Sequence, residues 1–124
     1  MRKVLIVDDQ DTIRKMLRLT LSGRYDLYEA QEATEAWDAI RRVRPEAVIL
    51  DVMMPGEMDG YQLCARVKAD AELRGTHIVM VTARGQEADR ATGAAAGADA
   101  YFIKPFSPLA LTRHLEQHVT ERVA

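Results

Sequence analysis

Cysteine is nearly absent from this 124-residue chain, and Cys64 is its only representative. One thiol cannot close an internal disulfide, so the fold must rest on a packed core; a reducing, cytoplasmic setting is the expectation. A dominant charge of either sign is also missing. Lysine and arginine number 17 against 19 acidic residues, for a formal net charge of −2. That balance excludes the basic footprint of a nucleic-acid binder, so no direct nucleic-acid contact is expected. No apolar run approaches the roughly 20 residues that a membrane span needs, so no membrane insertion is expected. The N-terminus has a basic start and a short apolar stretch, then meets Asp8-Asp9, which is not the pattern of a secretory leader. Internal repeats, low-complexity tracts and linkers are absent as well, and the reading is of one domain over residues 1–124.

What the chain does contain is an alternation. Four short apolar runs, Val4–Val7, Ala47–Leu50, Ile78–Val81 and Ala100–Ile103, are continuous and rich in Val and Ile. Burial on both faces of a parallel sheet produces that look. A fifth run, Tyr25–Ala30, alternates and suits an edge strand. Helical patterns lie between. Ile13, Met16, Leu17, Thr20 and Leu21 share one face, with Gly23 as a stop. Ala33, Ala36, Trp37, Ile40 and Val43 form a second face, ended by Pro45. Leu63, Cys64 and Val67 form a third, and Ala88–Ala96 is an alanine-rich fourth helix ended by Gly97. Ser107-Pro108 opens a fifth with a cap and an N1 proline. Leu111, Leu115 and Val119 carry this helix on, almost to the last residue, and no second domain is expected. Five β-then-α units predict a doubly wound parallel α/β sandwich.

Reactive side chains sit where four of the strands end. Asp8 and Asp9 follow the first strand, Asp51 the third, Thr82 the fourth and Lys104 the fifth. In a parallel sheet these ends share one edge, where open α/β sheets bind ligands. Three clustered carboxylates repel one another unless a cation joins them. Mg²⁺, which favours a few carboxylates and retained waters, fits such a group. Phosphoryl transfer needs mainly positioning and charge neutralisation, and a carboxylate can attack phosphorus to give an acyl phosphate. Asp51 suits that role best because it ends a central strand. Thr82 and Lys104 would then bind the new phosphoryl oxygens.

Taken in order, Val7-Asp8-Asp9, Asp51-Val52-Met53-Met54-Pro55 with Met58-Asp59-Gly60, Thr82-Ala83, and Gly97-Ala98-Asp99 leading to Tyr101-Phe102-Ile103-Lys104-Pro105-Phe106 resemble the response-regulator receiver family along the whole chain. The resemblance implies a flavodoxin-like five-stranded sheet of order 2-1-3-4-5. It implies phosphotransfer from a sensor histidine kinase or histidine phosphotransfer protein onto Asp51. Asp9 would ligate Mg²⁺ directly, Asp8 mostly through water, and the Met53 backbone carbonyl would complete the protein ligands. Thr82 would be the switch hydroxyl, Tyr101 the switch aromatic and Lys104 the phosphate-binding cation, with a cis Lys104-Pro105 bond. Met53 and Arg84 would modulate water access to the phosphoryl group. Downstream targets, or a second copy in a phosphorylation-dependent homodimer, would meet the surface of the fourth helix, fifth strand and fifth helix. Such a domain promotes its own phosphorylation and slow dephosphorylation but is not a turnover enzyme. The one departure from the family pattern is Glu57, an extra residue that would bulge the loop beside Asp51. Arg14, Lys15 and Arg18, read as exposed, and the Pro105-Phe106 loop are the expected kinase contact.

Plainer readings compete at each position. Asp8-Asp9 alone reads as readily as a helix cap, Thr82 alone as a cap of the fourth helix, Asp51 as a turn residue and Tyr101 as core. His77, His114 and His118 read as scattered and solvated, although His114 and His118 are spaced i, i+4. Other functions on this architecture are a flavin carrier, an aspartyl phosphatase, a phosphorylation-independent receiver-like binding module, or a receiver cut from a longer regulator. The flavin carrier is disfavoured by the acidic Asp8-Asp9-Gln10-Asp11 loop. The phosphatase lacks an acid at Met53.

Overall fold

The computed structural model of the chain describes residues 1–83 and 87–119. Its elements alternate as β1 (Lys3–Val7), α1 (Asp11–Leu21), β2 (Asp26–Ala30), α2 (Ala33–Val43), β3 (Ala47–Asp51), α3 (Gly60–Ala69), β4 (His77–Thr82), α4 (Glu87–Ala96), β5 (Ala100–Ile103) and α5 (Pro108–His118). All pairings are parallel, in the order β2-β1-β3-β4-β5. This is the doubly wound parallel sandwich expected from the alternation, in the flavodoxin-like strand order that the family resemblance implies.

Strand side chains point alternately to the two faces, so each face has its own core. Leu5, Val7, Val48, Leu50, Ile78 and Met80 face α2 and α3, meeting Ala36, Ile40, Leu63 and Val67. Val4, Ile6, Ala47, Ile49, Val79 and Val81 face α1 and α5, meeting Leu17, Leu21, Leu111 and Leu115. The central strands β1, β3 and β4 are therefore nearly all buried, which explains their unbroken apolar runs. β5 carries the same kind of run but is an edge strand, and all four of its residues are only half-buried. Its continuous apolar pattern reads like a central strand because helices cover both of its faces.

Local chemistry sets the helix ends. Asp59 caps α3 in a reciprocal box: its carboxylate accepts from the Gln62 N–H at 2.9 Å, and Gln62 Oε1 accepts from the Asp59 N–H at 2.8 Å. Ser107 Oγ accepts from the Ala110 N–H, with Pro108 at N1 of α5. α5 ends one residue earlier than its apolar spacing predicts. Val119 is buried but non-helical, its N–H closing the last turn onto the Leu115 carbonyl. Residues 120–124, which the periodicity also places near the helix end, lie outside the described residues.

Candidate functional site

The register of the sheet brings the polar strand ends together. Val7 pairs with Leu50, so Asp8 and Asp51 leave β1 and β3 side by side. Asp51 pairs with Val81 and Thr82 with Ile103, which sets Thr82 and then Lys104 along the same edge. Carboxylate oxygens of Asp8, Asp9 and Asp51 all lie within 4.8 Å of one another. Asp8 and Asp51 are buried, and Asp9 is exposed. Lys104 Nζ reaches into the group, donating to Asp8 Oδ2 at 3.2 Å and lying 3.6 Å from Asp51 Oδ2. The Lys104-Pro105 peptide is cis. Thr82 is fully buried at the end of β4.

This crowding perturbs Asp51. Burial foremost, then the neighbouring Asp8 carboxylate, pushes its carboxyl up to about 6, against the opposing pull of Lys104 and of the Met53 N–H that donates to Asp51 Oδ1. One lysine does not neutralise three carboxylates, and a divalent cation is the natural complement of such a donor set. The residues thus fit the Mg²⁺ that the acidic grouping implies.

Several plainer readings fail here. α1 is capped by Gln10, with no side-chain cap bond, and Asp8 instead accepts the Gln10 N–H through Oδ1 at 2.8 Å. The acid pair is therefore not the helix cap. Thr82 belongs to the strand, five residues ahead of the start of α4. Tyr101 is half-buried on β5, its hydroxyl 3.4 Å from that of Tyr61, and its ring lies where a side chain on Gly93 would fall. Met53 is exposed at the mouth of the site. Arg84 lies outside the described residues.

The loop carrying Glu57 absorbs its extra residue at the surface. Pro55, Gly56 and Glu57 are exposed, and Gly56 takes a positive φ of 108°. Its far end is pinned, because the Gly60 N–H donates to the Val52 carbonyl at 3.1 Å. A Cβ on Gly60 would lie 2.6 Å from the Asp51 carbonyl oxygen and 2.8 Å from Val52 Cα. Only glycine lets α3 start this close to the acidic strand end. In the sequence Gly60 stands only as a motif position, and the signal for this contact is a glycine directly after the Asp59 cap.

Arg14 corrects the reading that placed it on the exposed face. It is buried, and its guanidinium donates to the Asp8 carbonyl at 2.6 Å, to Asp11 at 2.9 Å and to Glu29 at 3.2 Å. It braces the backbone of the acidic turn. Its spacing to Leu17 and Leu21 puts it on the buried face of α1, a signal that its charge obscured. Arg18 is half-exposed and paired to Glu29 at 2.7 Å. Beside the site, Ile13, Met16, Lys104, Pro105 and Phe106 line an apolar hollow of about 310 Å³.

A family model described as the response regulator receiver domain matches residues 4–116. Among curated proteins, a probable transcriptional regulator, ycf27, of Guillardia theta is 46% identical over 108 residues, covering 86% of this chain and 41% of that protein. The transcriptional regulatory protein SrrA of Staphylococcus aureus is 39% identical over 107 residues, covering 86% of this chain and 43% of that protein. The chain thus spans about two fifths of the length of these relatives. Among solved structures, the Vibrio cholerae chemotaxis protein CheY4 superposes with a TM-score of 0.88 at 32% identity, over 96% of this chain and 99% of that one. A response regulator structure from Chloroflexus aurantiacus gives 0.87 at 39% identity, over 94% and 95%.

Proposed function

This chain belongs to the response regulator receiver family of two-component systems, and we propose that within it Asp51 accepts a phosphoryl group from a phosphohistidine of a sensor kinase or phosphotransfer protein. The observation that carries the reading is the convergence of Asp8, Asp9, Asp51 and Lys104 at one sheet edge, with Thr82 ending the strand beside Asp51. An Asp51 oxygen attacks phosphorus, the P–O bond forms as the P–N bond breaks, and the imidazole leaves with the electron pair. Asp8, Asp9, Asp51 and the Met53 carbonyl would hold Mg²⁺. Bound there, the ion would neutralise the carboxylates and draw charge from the phosphoryl oxygens. Lys104 supplies the second positive charge, already within 3.6 Å of Asp51.

The phosphoryl group then adds contacts that only the active conformation makes, and so shifts the population. Thr82 moves toward it, and Tyr101 rotates inward into the space that Thr82 leaves. The changed surface is α4, β5 and α5, which meets a target, an effector domain or a second copy. Receiver relatives of more than twice this length are named as transcriptional regulators, which supports transcriptional output for a protein carrying this domain. Residues 1–124 act as one receiver unit in this reading. The phosphodonor docks on the hollow of Ile13, Met16, Pro105 and Phe106, with the exposed Lys15 and Arg18 of α1 adding charge; the buried Arg14 plays no part in that contact. Met53 and Arg84 modulate the rate of dephosphorylation, Met53 by hindering attacking water. The domain promotes its own phosphorylation and slow dephosphorylation without being a turnover enzyme, and it works in the cytoplasm.

Phosphoryl uptake from an acyl-phosphate donor tests the site. Wild-type protein should be labelled in Mg²⁺ and unlabelled in excess EDTA, and Asp51→Asn should lose uptake. Label on Asp51→Asn, mapped to another residue, would overturn the assignment.

A further inference from the structure

The three histidines that look scattered in sequence meet at the opposite edge of the sheet. His77 begins β4, and His114 and His118 lie on the last turns of α5. Nε2 of His77 is 2.8 Å from Nε2 of His114. The His114 and His118 rings stack with centroids 4.2 Å apart and planes 22° apart, and His118 lies 5.5 Å from His77. This corrects the reading of the three as separate, solvated side chains.

We propose that His77, His114 and His118 form a binding site for a transition-metal dication of the zinc, nickel or copper(II) class, distinct from the acidic site.

Three features support it. First, the nitrogens present lone pairs. The His118 Nδ1 lies 2.9 Å from the His114 carbonyl. A carbonyl only accepts, so in the neutral ring Nδ1 carries the hydrogen and Nε2 the lone pair. A ring nitrogen held by a backbone carbonyl is the usual support behind a ligating imidazole. Asp99 Oδ2 lies 4.0 Å from His77 Nδ1, a charge contact beyond hydrogen-bond reach. Second, two of the rings are less basic than a free imidazole: burial first, and then the neighbouring imidazoles, lower the basicity of His114. Burial likewise lowers that of His77 against the opposing Asp99 carboxylate. Third, solvent reaches the group. His77 and His118 line an open cleft of about 430 Å³ with Glu46, Glu72 and Arg44.

The chemistry selects the ion. Neutral imidazoles suit zinc, copper and nickel, whereas Mg²⁺ prefers the oxygens at the other edge. Two nitrogens 2.8 Å apart, each about 2.0–2.1 Å from one ion, subtend roughly 85° there. That is near the angle of adjacent ligands in a square-planar or octahedral ion. With centroids 5.0 Å apart, His77 and His114 now meet head-on and share one hydrogen. As the rings tilt, the ring that carries the shared hydrogen on Nε2 gives it up to solvent and takes one up on Nδ1, which leaves both Nε2 lone pairs to the ion, so the trio closes around the ion and is not preformed like the acidic group. The carboxylates nearby have other partners: Asp99 pairs with Lys68 at 2.8 Å and Glu72 with Arg44 at 2.7 Å.

The test is calorimetric titration of the untagged, chelator-treated chain at pH 7.5 with Zn²⁺, Ni²⁺ or Mg²⁺ alone. Zn²⁺ or Ni²⁺ should bind one-to-one, and His114→Ala and His118→Ala should each weaken that binding by at least about tenfold. Both substitutions fall on partly exposed positions of α5, and far-UV circular dichroism verifies their fold. Ni²⁺ should broaden the imidazole proton resonances of all three histidines. Binding unchanged in His114→Ala, or binding abolished by Asp9→Asn with the histidine resonances undisturbed, overturns the proposal.

Discussion

The two ends of β4 sit about one strand length apart and obey opposite electrostatic rules. At its C-terminal end, Thr82 adjoins three carboxylates whose repulsion one lysine only partly offsets. At its N-terminal end, nearly every group is paired. Lys68 Nζ donates to the Arg74 carbonyl at 3.1 Å, the Thr76 carbonyl at 2.7 Å and Asp99 at 2.8 Å. Asp99 also accepts the Ile78 N–H at 2.8 Å, and together with Lys68 this holds its carboxyl below the usual range despite burial. The same strand thus joins an edge whose carboxylates are left unbalanced to an edge where Lys68 and Asp99 are paired with each other.

The sharpest way to break that contrast is Gly60→Ala. Its Cβ would meet the Asp51 backbone at 2.6 Å, so either α3 or the acidic strand end must shift. Overpacking of this kind costs about 1–3 kcal/mol, and chemical denaturation should read a loss near the top of that range. Mg²⁺ affinity should fall with it, because the strand end that moves carries Asp51.

Next in size is Asp51→Asn, which should stabilise the metal-free protein. The Asp51 carboxyl is raised from 3.8 to about 6, so between those values the folded state holds a proton that the unfolded state has lost. Stability from this group therefore falls as pH rises from about 4 to about 6 and stays low above that. At pH 7.5 the asparagine variant should gain on the order of 2 kcal/mol. The gain should vanish near pH 4, and Mg²⁺ should erase it by stabilising only the wild type. A variant no more stable than wild type at pH 7.5 without metal would mean the carboxylates are not in conflict.

At the other edge the sign reverses. Lys68→Ala removes the donor from two carbonyls and a carboxylate and should destabilise by about 1–2 kcal/mol, with no change in Mg²⁺ affinity. The smallest effect belongs to the exposed Arg44–Glu72 pair beside the cleft. Arg44→Ala should move the unfolding free energy by no more than about 0.5 kcal/mol.

Much of this was legible beforehand because it is local. Short Val/Ile runs separated by helical periodicity mark five β–α units, and each unit ends its strand at a position that can be read directly. The convergence of Asp8, Asp51, Thr82 and Lys104 then follows from a single rule, that parallel strands end on one edge. The edge placement of β5 was not legible from its apolar run, because helices on both faces give an edge strand a central strand's composition. Arg14 was misplaced because charge on a short apolar face reads as exposure, and nothing local reveals that Glu29 and the Asp8 carbonyl will join its i, i+3 neighbour Asp11 around it.

The sequence by itself thus determined the order of elements, the two-faced core and the identity of the acidic edge, since periodicity and strand ends act over a few residues. The tertiary structure alone decided the rest. It raised Asp51 through burial against Asp8, pressed Gly60 onto the strand end, and carried His114 across 37 positions to His77. Those outcomes depend on how α1, α3 and α5 seat against the sheet. That seating is set by the summed packing of two cores, which no short stretch of sequence records.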